Sequence, residues 1–251
     1  MSADSNRGYR EKLETVKKIL FGSQYLVCLK GRSLSNLCGC SNYFNPRDAY
    51  AVEAKYGYSP EEILSASFYN TRVEQFYEFY KNEMIADLGE IPEGMKVLAR
   101  MEEAGILKYI ITRDVFSLAK RAGCRNVLEI HGNVFHNQCP HCKAEYPIEY
   151  IQQSKGVPKC AKCGTTIRPK MCLVGEMVDN DVVTRAAEEM TKADVVLIMG
   201  CHMNDYMTTT FLRYFNGEKV ILISQDEHYL DYRADITLYG NPMDILEDLG
   251  V

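Results

Sequence analysis

The chain has 251 residues, 46% apolar and 25% charged, with a formal net charge of -5 from 29 basic and 34 acidic side chains. These proportions suit a globular chain of one large domain, or a core domain with a smaller one, and an acidic balance without a long basic run argues against a nucleic-acid surface. The opening stretch lacks the apolar core of a signal peptide, and no apolar run approaches the ~20 residues of a membrane span, so the ten cysteines point to a reducing, cytoplasmic setting.

Leu13, Val16, Lys17 and Leu20 recur at helical spacing and predict a helix from Tyr9 to Leu20, ended at Gly22. The short apolar run Tyr25–Leu29 reads as a buried parallel strand. A polar stretch beginning at Lys30-Gly31-Arg32-Ser33 follows, and then an aromatic-rich helical region to about Leu88, in which Ser59-Pro60-Glu61-Glu62 has the cap, proline and early acids that start a helix. Cys38 and Cys40 flank a glycine there. They read either as small buried apolar residues or as a pair available for redox chemistry or a second metal.

From Pro92 onward helix and strand alternate. A helix is predicted over Pro92–Ala104, a strand over Tyr109–Ile111, a helix over Asp114–Ala122 and a strand over Val127–Ile130, running into His131. Beyond it lie two Cys-x-x-Cys pairs, Cys139/Cys142 and Cys160/Cys163, with seventeen residues between them. That spacing matches a four-thiolate zinc site, with two disulfides as the competing reading. Four thiolates complete a tetrahedron, so the zinc would be structural. Met171–Val174 reads as a strand, Val182–Met190 as a helix, Val195–Met199 and Val220–Ile223 as buried strands, Ile236–Leu238 as a short edge strand and Pro242–Leu249 as a last helix. The alternation predicts an α/β fold with a parallel sheet covered by helices on both faces. Ligands of such sheets bind at the carboxyl ends of the strands, here Lys30-Gly31, Thr112-Arg113-Asp114, His131-Gly132, Gly200-Cys201-His202 and Ser224-Gln225-Asp226. His131, a titratable group in that crevice, is either a general base or a hydrogen-bonded strand-end histidine.

The order of these motifs, from the glycine turn at Gly31 through Ile111-Thr112, Ile130-His131-Gly132, the two cysteine pairs, Arg168-Pro169 and Gly175-Glu176, resembles the sirtuins over nearly the whole chain. The resemblance implies a Rossmann-like sheet domain, residues 1–34, 92–137 and 173–251, and a smaller zinc-ribbon and helical lobe made of the helical insert 35–91 and the ribbon 138–172. It implies NAD as cofactor and an acylated-lysine protein as substrate, entering a cleft between the two domains. It implies His131 and Asp114 at the catalytic positions, Gly31, Arg32, Ser33, Ser35, Thr112, Arg113, Gly200, Cys201 and Ser224 around the cofactor, and Gly175 and Glu176 at the substrate.

Several positions depart from the family pattern. Gly31-Arg32-Ser33 stands where the family has Gly-Ala-Gly, and Ser41-Asn42-Tyr43-Phe44 where it has Pro-Asp-Phe-Arg. Thr112-Arg113-Asp114-Val115-Phe116 replaces Thr-Gln-Asn-Ile-Asp, so the asparagine becomes an acid and the nicotinamide-binding acid becomes an aromatic ring. These changes suggest a repurposed anion pocket built on Arg32 and Arg113, with Asp114 pairing with either. Three functions remain open: a deacylase or ADP-ribosyl-transferring variant with an atypical cofactor pocket, a catalytically impaired protein that binds a nucleotide or a protein partner, and a redox or metal sensor using Cys38, Cys40 and Cys201.

Overall fold

The computed structural model describes residues 3–40 and 46–250; the Ser41–Phe44 motif lies outside them. The chain opens with α1 (Ala3–Gly22), β1 (Leu26–Lys30) and the short α2 (Leu34–Leu37). A helical insert follows: α3 (Pro46–Tyr56), α4 (Pro60–Ile63), α5 (Ala66–Thr71) and α6 (Val73–Phe79), extended by a π-type turn over Tyr80–Met84. Next come α7 (Glu93–Glu103), β2 (Leu107–Thr112), α8 (Leu118–Arg121) and β3 (Val127–Glu129). The ribbon is β4 (Gly132–Gln138), β5 (Glu145–Tyr146), α9 (Ile148–Gln153) and β6 (Arg168–Met171). The chain closes with α10 (Asn180–Lys192), β7 (Val195–Met199), α11 (Tyr206–Phe211), β8 (Lys219–Ser224), β9 (Ile236–Tyr239) and α12 (Pro242–Leu249).

Six strands form one parallel sheet in the order β3-β2-β1-β7-β8-β9, as the alternating pattern predicts, with β9 at an edge. Every residue of β1 and β7 is buried, because side chains alternate between two faces that are both covered. Leu26 and Cys28 pack toward residues of α1, α7 and α12, such as Val16, Val97 and Leu246. Val27 and Leu29 pack toward Ala186 and Met190 of α10 and Phe211 of α11. Between β1 and β7 the strand order reverses direction, and a crevice opens at such a point outside the carboxyl ends.

The second sheet is antiparallel, β5-β4-β6. The helical insert is fastened to this ribbon by polar contacts. The Tyr77 hydroxyl donates to the Ile167 carbonyl, Lys81 Nζ donates to the carbonyls of Ser154 and Gly156 at 2.8 Å each, and Gln152 Nε2 donates to Ile85 O at 2.7 Å. Leu64 O accepts from Val174 N, and Val174 O from Ala66 N, joining the insert to the strand that leaves the ribbon.

Two expected elements need correction, and one strand has no counterpart in the sequence reading. The helix expected over Asp114–Ala122 is only Leu118–Arg121. Asp114 accepts from Phe116 N and Leu118 N at 2.9 Å each, which holds a turn. Ser117 then lies in the left-handed region at φ 52°, so a helix cannot begin before Leu118. The strand expected over Met171–Val174 lies three residues earlier, at Arg168–Met171, where β4 offers its partner edge. Strand β4 was not anticipated, because Gly-Asn-Val-Phe-His-Asn-Gln is too polar to read as a buried run.

Candidate active site

The site starts at two glycine turns packed against each other. Gly31 follows β1 and Gly200 follows β7. A Cβ on Gly31 would stand 1.9 Å from the Gly200 carbonyl oxygen, so this approach of the two inner strands requires a residue without a side chain. The Ser33 hydroxyl donates to that same oxygen at 2.6 Å, and thereby occupies the position where the family pattern has a bare glycine.

A cavity of about 300 Å³ opens at this end of the sheet. It brings together Arg32, Ser35, Arg113, Asp114, His131, Gly175 and Glu176, walled by Leu64, Met84, Val115, Phe116 and Val174. A larger groove of about 1150 Å³ runs along the ribbon past Phe135, His136 and Pro169. His131, Met171, Cys172 and Glu176 line both spaces. The remaining expected residues, Gly31, Ser33, Thr112, Gly200, Cys201 and Ser224, cluster at the same sheet edge but do not line the cavity. Thr112 Oγ1 accepts from Asp114 N at 3.0 Å, and the Ser224 hydroxyl donates to Asp226 O at 2.9 Å; both serve their local turns.

Asp114 does not pair with either arginine. Lys30 Nζ donates to its Oδ2 at 3.3 Å, and both side chains are fully buried. With the two backbone donors already described, the carboxylate takes three hydrogen bonds. Arg113 pairs instead with Asp205, through Nη2 at 2.6 and 2.7 Å. Lys30 and Asp205 had no assigned role in the sequence reading. The available signal was a lysine closing an otherwise apolar buried strand. Burial and the neighbouring Arg113 hold the Arg32 pKa below its usual range. His131 is likewise held below its ordinary value, first by burial and then by Arg113 and Arg32, so it is neutral at neutral pH and able to accept a proton. Glu176 accepts from Arg168 and from Leu173 N; these bonds outweigh the upward effect of burial and lower its pKa.

The thiols divide into two sets. Cys38, Cys40 and Cys201 are buried. Burial raises the Cys38 thiol and pushes Cys40 and Cys201 up to about 12, so none is a ready thiolate and all three behave as small apolar residues. The sulfurs of Cys139, Cys142, Cys160 and Cys163 lie within 4.8 Å of one another, with separations of 3.5 Å for Cys139–Cys163 and for Cys142–Cys160. Zinc–sulfur bonds of about 2.3 Å in a tetrahedron set sulfur–sulfur edges of roughly 3.8 Å. A disulfide would bring the atoms to about 2 Å. The cluster therefore fits a structural zinc and not two disulfides.

The model of the Sir2 family matches residues 31–206 of the chain. A relative from Clostridium perfringens named NAD-dependent protein deacetylase is 31% identical, over 91% of this chain and 94% of its own. Another from Archaeoglobus fulgidus, named NAD-dependent protein deacylase 1, is 30% identical over 94% and 96%. A solved structure of a Sir2 homolog in complex with NAD superposes with a TM-score of 0.81 at 28% identity, covering 94% of this chain and 91% of that one.

Proposed function

The chain belongs to the Sir2 family, and from that premise we propose that it is an NAD-dependent protein-lysine deacylase with an atypical cofactor pocket. The observation that carries this reading is the position of His131 in the wall shared by the cavity and the groove. A dinucleotide end in the cavity and an acylated lysine from the groove would meet at that histidine. NAD, when bound, would supply the electrophilic ribose carbon of the reaction. Neutral His131 acts as general base toward a ribose hydroxyl, aided by a depressed pKa. Ser35, Arg32 and Arg113 line the cavity and would hold the cofactor's reacting end, while Gly31, Ser33, Thr112, Gly200, Cys201 and Ser224 at the neighbouring strand ends would border the rest of it. Gly175 and Glu176 sit beside the substrate lysine, with Glu176 fixed by Arg168.

Asp114 acts here as a positioning residue. Its carboxylate is bonded to Lys30 and two backbone amides, so it shapes the turn carrying Val115 and Phe116 rather than exchanging protons. The helical insert 35–91 and the ribbon 138–172 are read as one small domain on the sheet domain, with the deacylase at work in the cytoplasm. Among the described residues no helix is long and apolar enough to cross a membrane. A non-catalytic binding role is the second reading, favoured by the locked Asp114 and by Phe116 in the cavity wall. Nicotinamide release with an acetylated peptide, measured for wild type and His131→Ala, decides between them. The enzyme reading expects release from wild type and a loss of about a hundredfold or more in the variant; no release from wild type overturns it.

A further inference from the structure

The cavity beside His131 offers an uneven set of polar groups. Arg32 and Arg113 both line it, and a guanidinium donates hydrogen bonds but accepts none. Two carboxylates also line it, yet every oxygen of both already takes a hydrogen bond. Asp114 is held by Lys30, Phe116 N and Leu118 N, and Glu176 by Arg168 and Leu173 N. Phe116 contributes only an aromatic ring. A ligand group entering this end meets two guanidinium groups and no acid with an unoccupied oxygen.

Arg113 adds an independent sign. Both of its contacts with Asp205 come from Nη2. Its Nε is buried and has no acceptor among the described residues. Buried donors are rarely left without an acceptor, so an acceptor supplied by a ligand would complete the group. The electrostatics agree in sign: after burial, Arg113 depresses the pKa of Arg32, with Asp205 opposing it, and after burial Arg113 and Arg32 depress that of His131. An anion placed among the three would relieve this mutual repulsion.

We infer that this end of the cavity receives a carboxylate carried by the ligand at the reacting centre, either on the pyridine ring of the dinucleotide or at the end of the acyl group. The inference rests on the deacylase reading above. A carboxamide in the same place would bring no charge to offset the two guanidinium groups, and its NH₂ would have to compete for Ser35, neutral His131 or carboxylate oxygens that are already bonded. A carboxylate presents only acceptor oxygens, which match a guanidinium fork in geometry and in charge.

The test is calorimetry on the full zinc-loaded chain with two matched pairs of probes. One pair is NAD and nicotinic acid adenine dinucleotide. The other is a single peptide with its lysine acetylated or succinylated. In one pair the carboxylate-bearing member should bind at least about tenfold more tightly, and the pair that responds identifies the source. Arg32→Gln, which keeps a polar hydrogen-bonding side chain but is shorter and removes the charge, should bring the ratio close to one. The pKa of His131, followed by NMR, should rise on binding the favoured ligand and stay in place with its neutral counterpart. Equal affinities within both pairs would overturn the inference and leave the deacylase reading standing. So would a preference that survives both Arg32→Gln and Arg113→Gln. Failure of both dinucleotides to bind would overturn the two together.

Discussion

Lys30, at the carboxyl end of β1, and Asp114, in the wall of the candidate cavity, meet 3.3 Å apart with neither side chain exposed. Removing one member of such a pair leaves a buried charge without compensation, at a cost of about 3–5 kcal/mol. Lys30→Met should lower the unfolding free energy by about that much. The double variant Lys30→Met with Asp114→Asn should recover most of the loss, because it removes the second charge as well. Urea denaturation of the wild type, both single variants and the double variant measures the coupling. Additive losses would mean that the two side chains do not interact in solution.

The four-cysteine cluster leads to a second expectation. Metal binding to a closed thiolate site contributes folding free energy directly. Exhaustive chelation should therefore lower the thermal midpoint, and Cys142→Ser should lower it without added chelator. Because Tyr77, Lys81 and Gln152 tie the helical insert to the ribbon, amide exchange should accelerate in the insert as well as in the ribbon. An unchanged midpoint after verified metal removal would refute the structural role.

His131 makes the pH dependence specific. Its folded pKa lies below 6.5, through burial and then through Arg113 and Arg32. The general base proposed above must be neutral to act, so activity is expected to rise with pH and level off, with a midpoint below the usual histidine value. The linkage has a matching sign. The unfolded chain takes up the proton more readily, so stability falls as pH drops below 6.5 toward the folded pKa. Arg32→Gln should move the NMR-observed midpoint upward. A midpoint at or above 6.5 in wild type would contradict the burial and charge argument.

Gly31→Ala tests the contact between the two glycine turns. The added carbon would lie 1.9 Å from the Gly200 carbonyl oxygen and 2.7 Å from Cys201 Cβ, and both obstacles belong to rigid strand ends. The variant should lose more than about 2 kcal/mol of stability or fail to fold. Gly8→Ala, at a position with open space, serves as the control. Equal stability of the two variants would mean that the strand ends separate easily.

The sheet was legible in the sequence because both faces of a parallel strand are apolar, so Val195–Met199 stands out as an uninterrupted run. The zinc cluster was legible because its ligand spacing is local. The active-site turn was not. Asp114 in front of a helical pattern reads as a cap, and nothing in the sequence indicates that Ser117 takes a positive φ or that the acid's partner is Lys30, far back along the chain. Arg32 and Arg113 were recognisable as cations near one site. The choice of Asp205 as Arg113's partner depends on how the β7–α11 loop packs, which no local pattern encodes.

The pairing of β1 also governs when the protein can be completed. Leu26 lies beside Leu107 on one side and Val195 on the other. During synthesis the first strand to leave the ribosome must wait for β7 before its second edge is covered. Until then an apolar strand is open to pairing with other chains, so nascent chains halted before Val195 should bind chaperones, and those extended past α12 should release them.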